Sequence, residues 1–550
     1  MKQCKQCQKQ FEVMERDKAF YQKMEVPEPT RCPACREMRR LAFRNERSLY
    51  LDACSLCKKQ MFSMHHPSKT YPVFCNSCWY SDKWDAHDYA RDFDFNRPFF
   101  EQFKELLKKV PRMATSTFDN ENSDFVNCAT RDKNCYLIFG ANFNEDVYYG
   151  NYVNRNKYSL DLLFTHDSEL CYECTDCEKC YNTRYSRMSS NCMDCAFISD
   201  CKGCSNCFGC AGLRNKKYCL FNKQLTREAY EEAIKQFDLS SRSGVEAARA
   251  QVMKAWNTQP VKYYFGEKTE NVTGNALFNA HDCVSCFEST EIENCAYAAW
   301  LNKAKDCYDI FAWGFTAEKC YECVEAGGDD NNVKFCRSCF TGCHSLEYSD
   351  YCLNSHDLFG CVSMRKVQYC IFNKQYSPEE YAALKEKIIA HMRATGEYGE
   401  FFPPALSQYG FNETKGIELY PVNKEQALAL GFNWQDNPPG TMGKETLKPS
   451  DVLDALGGVS EDITKQVFAC VDCGKNYKII VQELKLYKKI GVPVPLLCPN
   501  CRHMKRMAEH GTHVLYKRQC GNCSKAFQTS YSPERPEQVW CERCYIQAGK

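Results

Sequence analysis

The most constraining feature of the sequence is a spacing of eight cysteines that occurs at both ends of the chain. Each set reads Cys-x2-Cys-x24-Cys-x2-Cys-x18-Cys-x2-Cys-x17-Cys-x2-Cys, and the second begins 466 residues after the first. Paired thiolates at this spacing typically share one tetrahedral ion, so the pattern predicts two closed, structural Zn²⁺ sites per end, about four per chain. The predicted ligands are Cys4, Cys7, Cys32, Cys35, Cys54, Cys57, Cys75, Cys78, Cys470, Cys473, Cys498, Cys501, Cys520, Cys523, Cys541 and Cys544.

The similarity of the two ends extends beyond cysteine. At the same offset of 466 residues, aromatic, proline and arginine positions also match. We therefore interpret residues 1–80 and 466–550 as two copies of one two-zinc module, here the N-terminal and C-terminal modules. The matched pairs include Tyr21 and Tyr487, Pro27 and Pro493, Arg36 and Arg502, and Arg40 and Arg506.

The cysteine content also bears on the cellular compartment. The chain has 41 cysteines in 550 residues, no apolar run of 18 residues and no apolar segment at its start. Thiols at this density fit a reducing compartment better than a disulfide framework in so long a chain. We expect a cytoplasmic protein without a membrane span.

Charge is unevenly distributed along the sequence. The formal net charge is +1, with about +7 in residues 1–80, about +8 in residues 466–550 and about −14 between them. Each Zn(Cys)4 centre would add about −2, which leaves the modules only mildly basic.

Cysteine, tyrosine and asparagine recur about every 12 residues in the middle of the chain. Cys283, Cys295, Cys307 and Cys320 are 12, 12 and 13 residues apart. Such a period predicts β-solenoid coils, in two blocks that end with the same phrase, Tyr-Cys-hydrophobic-Phe-Asn-Lys-Gln. After the second phrase, Ser377-Pro378-Glu379-Glu380 predicts a capped helix that covers the open end of the block.

The predicted fold is mainly β, with small α+β zinc modules flanking two solenoid blocks. A helix stripe of Phe99, Phe103, Leu106, Leu107 and Val110 is expected before the first block. The predicted order is a two-zinc module (1–80), a helical linker (81–115), solenoid block 1 with its capping helix (116–240), a helical linker (241–262), solenoid block 2 with its capping helix (263–395), a wrapping segment and linker (396–465) and the second two-zinc module (466–550).

The other 25 of the 41 cysteines fall in the solenoid, where three interpretations stay open. Cys171, Cys174, Cys177 and Cys180 form a Cys-x2-Cys-x2-Cys-x2-Cys run, and Cys201 to Cys210 form another. These runs lack the x3 gap and the following proline of a bacterial ferredoxin motif, but an iron–sulfur cluster or further zinc remains an alternative. The simplest interpretation is buried thiols that stack as small side chains between coils.

Basic residues cluster beside the predicted zinc sites. Such strips often contact phosphates, which makes nucleic acid or a ribonucleoprotein a candidate partner. The alternative is a solvated helix face that partly neutralises the Zn(Cys)4 charge, and the acidic middle argues against strong electrostatic binding. The candidate contacts are Arg36, Arg39, Arg40, Arg44, Arg502, Lys505 and Arg506.

Residues 4–40 and 470–506 resemble zinc-ribbon domains with treble-clef-like ligand spacing, through their Cys-x2-Cys knuckles and Cys-Pro-x-Cys-Arg strings. This resemblance implies that Cys4, Cys7, Cys32 and Cys35 share one zinc, although the spacing alone also allows a cross-braced pairing. The whole chain resembles a multi-zinc-ribbon protein family of candidate-phyla bacteria, which implies no particular activity. The phrases that carry this resemblance are Cys78 to Trp84, Arg91 to Pro98, Tyr369 to Gln375 and Tyr531 to Pro536.

We find no phosphate loop, dinucleotide glycine motif, His-Glu-x-x-His string or Ser-His-Asp order. We therefore expect no catalytic residues and no organic cofactor. The function expected is that of a zinc-binding scaffold whose modules and solenoid face engage a protein or an RNA–protein complex. The alternatives are an RNA-, DNA- or ribosome-binding protein, and an iron–sulfur or thiol redox protein.

Overall fold

The computed structural model describes residues 1–549 and divides into two compact units. Unit 1 comprises Met1–Thr115, Tyr264–Pro438 and His513–Leu515, and unit 2 comprises Ser116–Tyr263, Pro439–Thr512 and Tyr516–Lys550. Unit 1 therefore combines the N-terminal module with block 2, and unit 2 combines block 1 with the C-terminal module. The mainly β architecture with a central β-solenoid confirms the predicted fold class.

Block 1, in unit 2, is a stack of short parallel strands in which each residue pairs with the residue 12 positions later, as Asn151 does with Leu163 and Cys207 with Cys219. Only the last strand is antiparallel, with Cys219 opposite Gln224. The strands are Thr117–Phe118, Asn127–Thr130, Phe139–Asn142, Glu145–Tyr148, Asn151–Asn154, Lys157–His166, Tyr172–Thr175, Tyr181–Arg187, Met193–Ala196, Ser205–Phe208, Lys217–Leu220 and Lys223–Gln224.

A three-residue sub-period explains the 12-residue coil. Leu170, Glu173, Asp176 and Lys179 all have φ between 47° and 56°, in the left-handed region that L-residues seldom occupy. The residue after each of them, Cys171 to Cys180 in steps of three, points inward and is at most 2% exposed. One coil thus has four corners and four inward positions. The Cys-x2-Cys-x2-Cys-x2-Cys run from Cys171 to Cys180 occupies all four inward positions of one coil.

Inward thiols and hydroxyls make the same hydrogen bonds. The Cys171 thiol donates to the carbonyl of Glu169 (3.5 Å), and the Ser168 hydroxyl donates to that of His166 (2.8 Å). Ser168 also accepts the N–H of Cys180 in the next coil (3.0 Å), as the Cys210 sulfur accepts that of Asn222 (3.4 Å). Small side chains with one donor and one acceptor therefore link successive coils. The thiols are buried, as the buried-thiol interpretation predicted, and their hydrogen bonds to the backbone were not part of that prediction.

Block 2, in unit 1, follows the same plan with some longer coils. Phe287 pairs with Ala299 at a spacing of 12, whereas Tyr308 pairs with Tyr321 at a spacing of 13. Its first sheet contains Gly266–Glu270, Gly274–His281, Cys286–Glu293, Ala299–Lys305, Tyr308–Glu318, Tyr321–Gly327 and Arg337–Phe340. The second contains His344–Glu347, His356–Phe359, Gln368–Ile371 and Lys374–Gln375.

Helices close the C-terminal ends of both blocks, as predicted. Arg227–Ile234 follows block 1 and Pro378–Ala394 follows block 2. The predicted capping box forms, since Ser377 N donates to Glu380 (3.0 Å) and Glu380 N donates to the Ser377 hydroxyl (3.2 Å). Tyr381, Ile388 and Met392 of the second helix are buried, which stabilises its place on the end of block 2.

Two further helices and an aromatic segment pack on the flanks of the blocks. In unit 1, Phe99–Leu107 buries its predicted stripe, and the Phe99 ring lies 5.3 Å from that of Phe372. In unit 2, Arg242–Trp256 buries its apolar face. Residues 396–438 carry buried Phe401 and Phe402 into the core of unit 1, as the predicted wrapping segment should. The short helices of this segment are Pro404–Leu406, Phe411–Glu413, Lys415–Leu419 and Lys424–Ala429. The stretch that follows, in unit 2, contains the short helices Pro449–Asp451, Leu456–Gly458 and Glu461–Lys465.

The two modules have matching elements. Each has a first helix, a second helix that begins at the second cysteine pair, a hairpin and a short last helix. In the N-terminal module these are Glu15–Lys23, Pro33–Leu41, Tyr50–Ala53 with Gln60–Ser63, and Asn76–Trp79. In the C-terminal module they are Val481–Ile490, Pro499–His510, Tyr516–Gln519 with Ala526–Thr529, and Glu542–Gln547. Across residues 1–549, no helix is both long and apolar enough for a bilayer span.

Candidate metal centres and the module–solenoid interface

The sixteen terminal cysteines form four tetrads whose sulfur atoms lie within 4.8 Å of one another. Each tetrad joins two consecutive Cys-x2-Cys pairs, so the sequential pairing is present and the cross-braced alternative is wrong. The tetrads are Cys4, Cys7, Cys32, Cys35; Cys54, Cys57, Cys75, Cys78; Cys470, Cys473, Cys498, Cys501; and Cys520, Cys523, Cys541, Cys544.

The first pair of every tetrad sits on the same tight backbone turn. The residue after its second cysteine is left-handed, and its N–H returns to the carbonyl of the first cysteine, as in Gln8 to Cys4 (3.0 Å) and Ser524 to Cys520 (2.9 Å). The sulfur of the first cysteine then accepts the N–H of the third, for example Cys32 N to Cys4 Sγ (3.3 Å). This third cysteine precedes the first helical residue, so a helix N-terminus faces the thiolates and favours their charge.

The sulfur spacing suits a tetrahedral ion. Cys7 and Cys32 lie 3.7 Å apart, as do Cys473 and Cys498, and Cys57 and Cys75 lie 3.9 Å apart. Four bonds of about 2.3 Å in a tetrahedron place the sulfurs about 3.8 Å apart. The residues present therefore fit a metal with four thiolate ligands, and such a centre has no open position for a substrate.

Proton affinities within a tetrad are strongly split. Burial alone would raise the pKa of Cys54, but the N–H groups of Cys57 and Cys75 outweigh it and lower the pKa to about 6. Burial and the neighbouring thiols raise the pKa of Cys78 to about 12. Four thiolates at this spacing repel one another, so complete deprotonation requires a bound cation.

The six arginines of the predicted basic strips are not on the surface. Arg36, Arg39, Arg40 and Arg44 are at most 2% exposed, Arg502 is 3% and Arg506 is 5% exposed. The expectation that these six arginines contact nucleic acid is therefore wrong for this structure, because their guanidinium groups are consumed by ion pairs inside each unit. Of the seven candidates only Lys505 is exposed, and it lies 3.5 Å from Asp472.

In unit 1, the helix Pro33–Leu41 docks on block 2 through its arginines. Arg36 and Arg40 converge on the buried carboxylate of Asp309, at 2.9 and 2.8 Å. Arg39 donates to both oxygens of Glu322 (2.6 and 2.7 Å). A nearby residue, Arg44, pairs with Glu325 and Glu46. Removal of one partner from pairs this deeply buried typically costs about 3–5 kcal/mol, since a bare charge is left behind.

Unit 2 repeats the arrangement. Arg502 and Arg506 of the helix Pro499–His510 both pair with Asp161 of block 1, which is fully buried; the Arg506 distance is 2.8 Å. Asp161 and Asp309 both occupy left-handed corners of their coils (φ 57° and 52°). In each module, two arginines at equivalent positions of the second helix therefore pair with an aspartate at a left-handed corner of the solenoid block.

A tyrosine–carboxylate pair completes both interfaces. Tyr297 donates to Asp17 (2.9 Å) in unit 1, and Tyr149 donates to Glu483 (2.6 Å) in unit 2. Asp17 and Glu483 are 466 residues apart, and each also accepts the N–H of the residue that caps its own helix. The Arg36 guanidinium lies over the ring of Tyr297 and that of Arg502 over Tyr149, at 5.1 and 4.5 Å. The interface is thus duplicated residue by residue.

His513 forms a separate charged cluster in unit 1. Its Nδ1 lies 2.6 Å from Glu37, its Nε2 lies 2.8 Å from Glu288, and its ring stacks on Phe287. Burial alone would lower the pKa of His513, but the two carboxylates outweigh it and raise the pKa to about 10. The imidazolium therefore bridges the Pro33–Leu41 helix, which carries Glu37, to block 2.

The solenoid partners of the modules were missed by sequence reasoning. Asp161, Asp309, Tyr149 and Tyr297 lie in ordinary-looking coils, and only the burial of the arginines identifies them. One signal was available, because arginines that recur at the 466-residue offset beside an acidic middle are expected to have internal acidic partners. No known protein-family model matches this chain, and no curated protein matches it either.

Proposed function

We propose that this chain is a zinc-stabilised, non-enzymatic scaffold in which Zn²⁺ occupies all four cysteine tetrads. The single observation that carries the proposal is the coupling of the first tetrad of each module to a buried arginine interface. In both modules the helix that begins at a cysteine pair also carries the arginines that dock on the solenoid. A metal that fixes this helix would therefore fix the module on its block.

Zinc is the metal that suits these sites best. Four thiolates in a closed tetrahedron are the usual structural Zn²⁺ environment, in the manner of zinc-ribbon and treble-clef domains. A closed site supplies no Lewis-acid position, so its contribution is to folding energy. The abundance of free thiols further favours a reducing, cytoplasmic location.

A scaffold role agrees with where the charged and polar side chains lie. The arginines beside the tetrads serve internal docking, which removes the main support for the nucleic-acid alternative. The inward thiols of the solenoid donate to backbone carbonyls, which gives them a structural task and weakens the redox alternative. The outer coil surface is then the part left to engage a macromolecular partner, a protein or an RNA–protein complex.

Metal content and partner identity test this proposal together. The chain purified without oxygen should carry about four zinc ions and no iron absorbance. Crosslinking in native cells, with and without nuclease before isolation, should recover the same protein partner. Iron in stoichiometric amount, or a partner lost entirely on nuclease treatment, would favour the redox or the nucleic-acid alternative instead.

A further inference from the structure

The two ends of block 1 are finished differently. At its C-terminal end the strand Lys223–Gln224 adds to the last coil in antiparallel fashion, and the helix Arg227–Ile234 follows with Tyr230 buried. At its N-terminal end the first coil, residues 116–127, exposes Phe118, Asp119, Glu121, Asn122 and Asp124, and the Phe118 side chain is 60% exposed. The stretch from Phe118 to Asp124 at this sheet edge of unit 2 therefore faces solvent.

The backbone pattern of the coils shows which groups lie on this edge. In successive coils the N–H of each corner residue donates to a carbonyl 13 residues earlier, as in Arg131 to Phe118 (3.0 Å) and Asn134 to Glu121 (3.0 Å). The equivalent corner residues of the first coil, Asp119 and Asn122, have no earlier coil. Within residues 1–549 their N–H groups have no acceptor. The edge thus offers backbone groups of the kind that a strand pairs with.

The interior at this end is polar. The first coil turns Thr117, Asn120, Ser123 and Val126 inward, three polar residues and one apolar, where the coil at Cys171–Cys180 has only cysteine. Asn120 donates to the carbonyl of Ala129 (3.0 Å), and Ser123 accepts the N–H of Cys135 (3.0 Å). Three of the four inward side chains of the end coil therefore carry hydrogen-bonding groups, which suits strand addition better than hydrophobic docking.

The charge of the edge narrows the choice of partner. The first coil contains Asp119, Glu121 and Asp124 and no lysine or arginine. Two of these acids meet the next coil only through exposed pairs, Arg131 with Asp119 and Lys133 with Glu121, each at 3.4 Å. Exposed pairs of this kind contribute little to stability, so an incoming cation competes with them readily. Charged residues on a free sheet edge also disfavour self-association, because two acidic edges brought together would repel each other.

We propose that the N-terminal edge of block 1 binds an extended, lysine- or arginine-bearing segment of a partner protein as an added β-strand. Main-chain groups beside Asp119 and Asn122 would pair with the segment, its cations would face Asp119, Glu121 and Asp124, and Phe118 would anchor an apolar side chain. This proposal rests on the scaffold role proposed above, for which it names a docking surface and a partner chemistry.

The test uses the zinc-loaded full chain and a synthetic peptide that alternates lysine with valine, because strand addition depends mainly on main-chain bonds. We expect saturable binding and at least tenfold slower amide exchange at Asp119 and Asn122. The same peptide with alternate amides N-methylated keeps its charge but loses its donors, and should bind at least tenfold more weakly. The triple variant D119K/E121K/D124K should also lose at least tenfold in affinity.

The matched control, E228K/E231K/E232K, makes the same charge change on the helix at the closed end and should leave binding unchanged. The proposal would be overturned if the N-methylated peptide bound as tightly as the unmodified one, or if amide exchange slowed elsewhere in the chain and not at Asp119 and Asn122. It would also be overturned if the control variant lost the same affinity, if the protein formed edge-to-edge dimers, or if no binding occurred at millimolar peptide. None of these outcomes alters the zinc content or the partner recovered from cells, so failure here is distinct from failure of the scaffold role.

Discussion

The buried carboxylate of Asp161 gives the sharpest test of the module–solenoid interface. Asn at this position keeps the shape and tolerates the left-handed corner (φ 57°), but removes the charge that Arg502 and Arg506 share. Both arginines are at most 5% exposed, and the nearest remaining carboxylate, Glu483, lies 3.7 Å from Arg502. We expect D161N to destabilise the docked module by about 3–5 kcal/mol.

Asp167 is the matched control, since it lies at the same kind of corner position in block 1. It also occupies a left-handed corner (φ 52°), but its partner Arg155 has a side chain that is 58% exposed. An exposed pair contributes about 0–1 kcal/mol, so D167N should be nearly neutral. The two substitutions differ in burial and in little else, which isolates the effect of the interface.

Native-state hydrogen exchange measures both variants locally, which avoids treating a chain of several cooperative parts as one transition. With about 1.4 kcal/mol per tenfold, D161N should speed exchange in the helix Pro499–His510 by roughly two to three and a half powers of ten. D167N should change it by less than about tenfold. Equal effects of the two variants would refute the claim that the arginine–Asp161 cluster holds the module on block 1.

Three further outcomes follow from the same geometry. The folded pKa of His513 is raised to about 10 from an unfolded value of about 6.5, so the stabilisation by its charge is complete below about pH 6.5 and is lost as pH rises toward 10. The difference in stability between wild type and H513Q should therefore shrink from pH 7 to pH 10. An unchanged difference would contradict the assignment of an imidazolium paired with Glu37 and Glu288. C201S should cost no more than about 1 kcal/mol in stability, because Ser189 already fills the same position one coil earlier. C498S should lose one zinc ion, as measured by mass spectrometry. Zinc loss in both variants or in neither would contradict the assignment of Cys201 as a structural thiol and Cys498 as a ligand. A strong chelator should make residues 1–80 and 466–550 sensitive to protease while the solenoid stays resistant, and cleavage at equal rates throughout would be the opposite result.

The cysteine tetrads were predictable because their geometry is local. A Cys-x2-Cys pair needs only a tight turn to bring its two sulfurs together, so the sixteen cysteines of the tetrads could be named from spacing alone. The partition of pairs into tetrads was left open, because it depends on how the segment between Cys7 and Cys32 folds back. The structure settles it with a helix at Glu15–Lys23 and a second helix that begins beside Cys32.

The arginines were wrongly predicted to be surface contacts, because the partner of a charged side chain is set by the tertiary structure and not by its neighbours in the sequence. Arg36 and Asp309 are 273 residues apart, and neither sequence context signals the other. The coil period was predictable from repeated cysteine and tyrosine. Its three-residue sub-period was not identified, although the run Cys171 to Cys180 displays it directly, since each of those cysteines is an inward position of one coil.

X-ray absorption at the zinc edge on the anaerobically purified chain, combined with its zinc content, tests the central claim most directly. The account predicts about four zinc ions per chain, each with four sulfur ligands at about 2.3 Å. A zinc content well below four, nitrogen or oxygen ligands in the first shell, or additional metal bound by the solenoid thiols would contradict it.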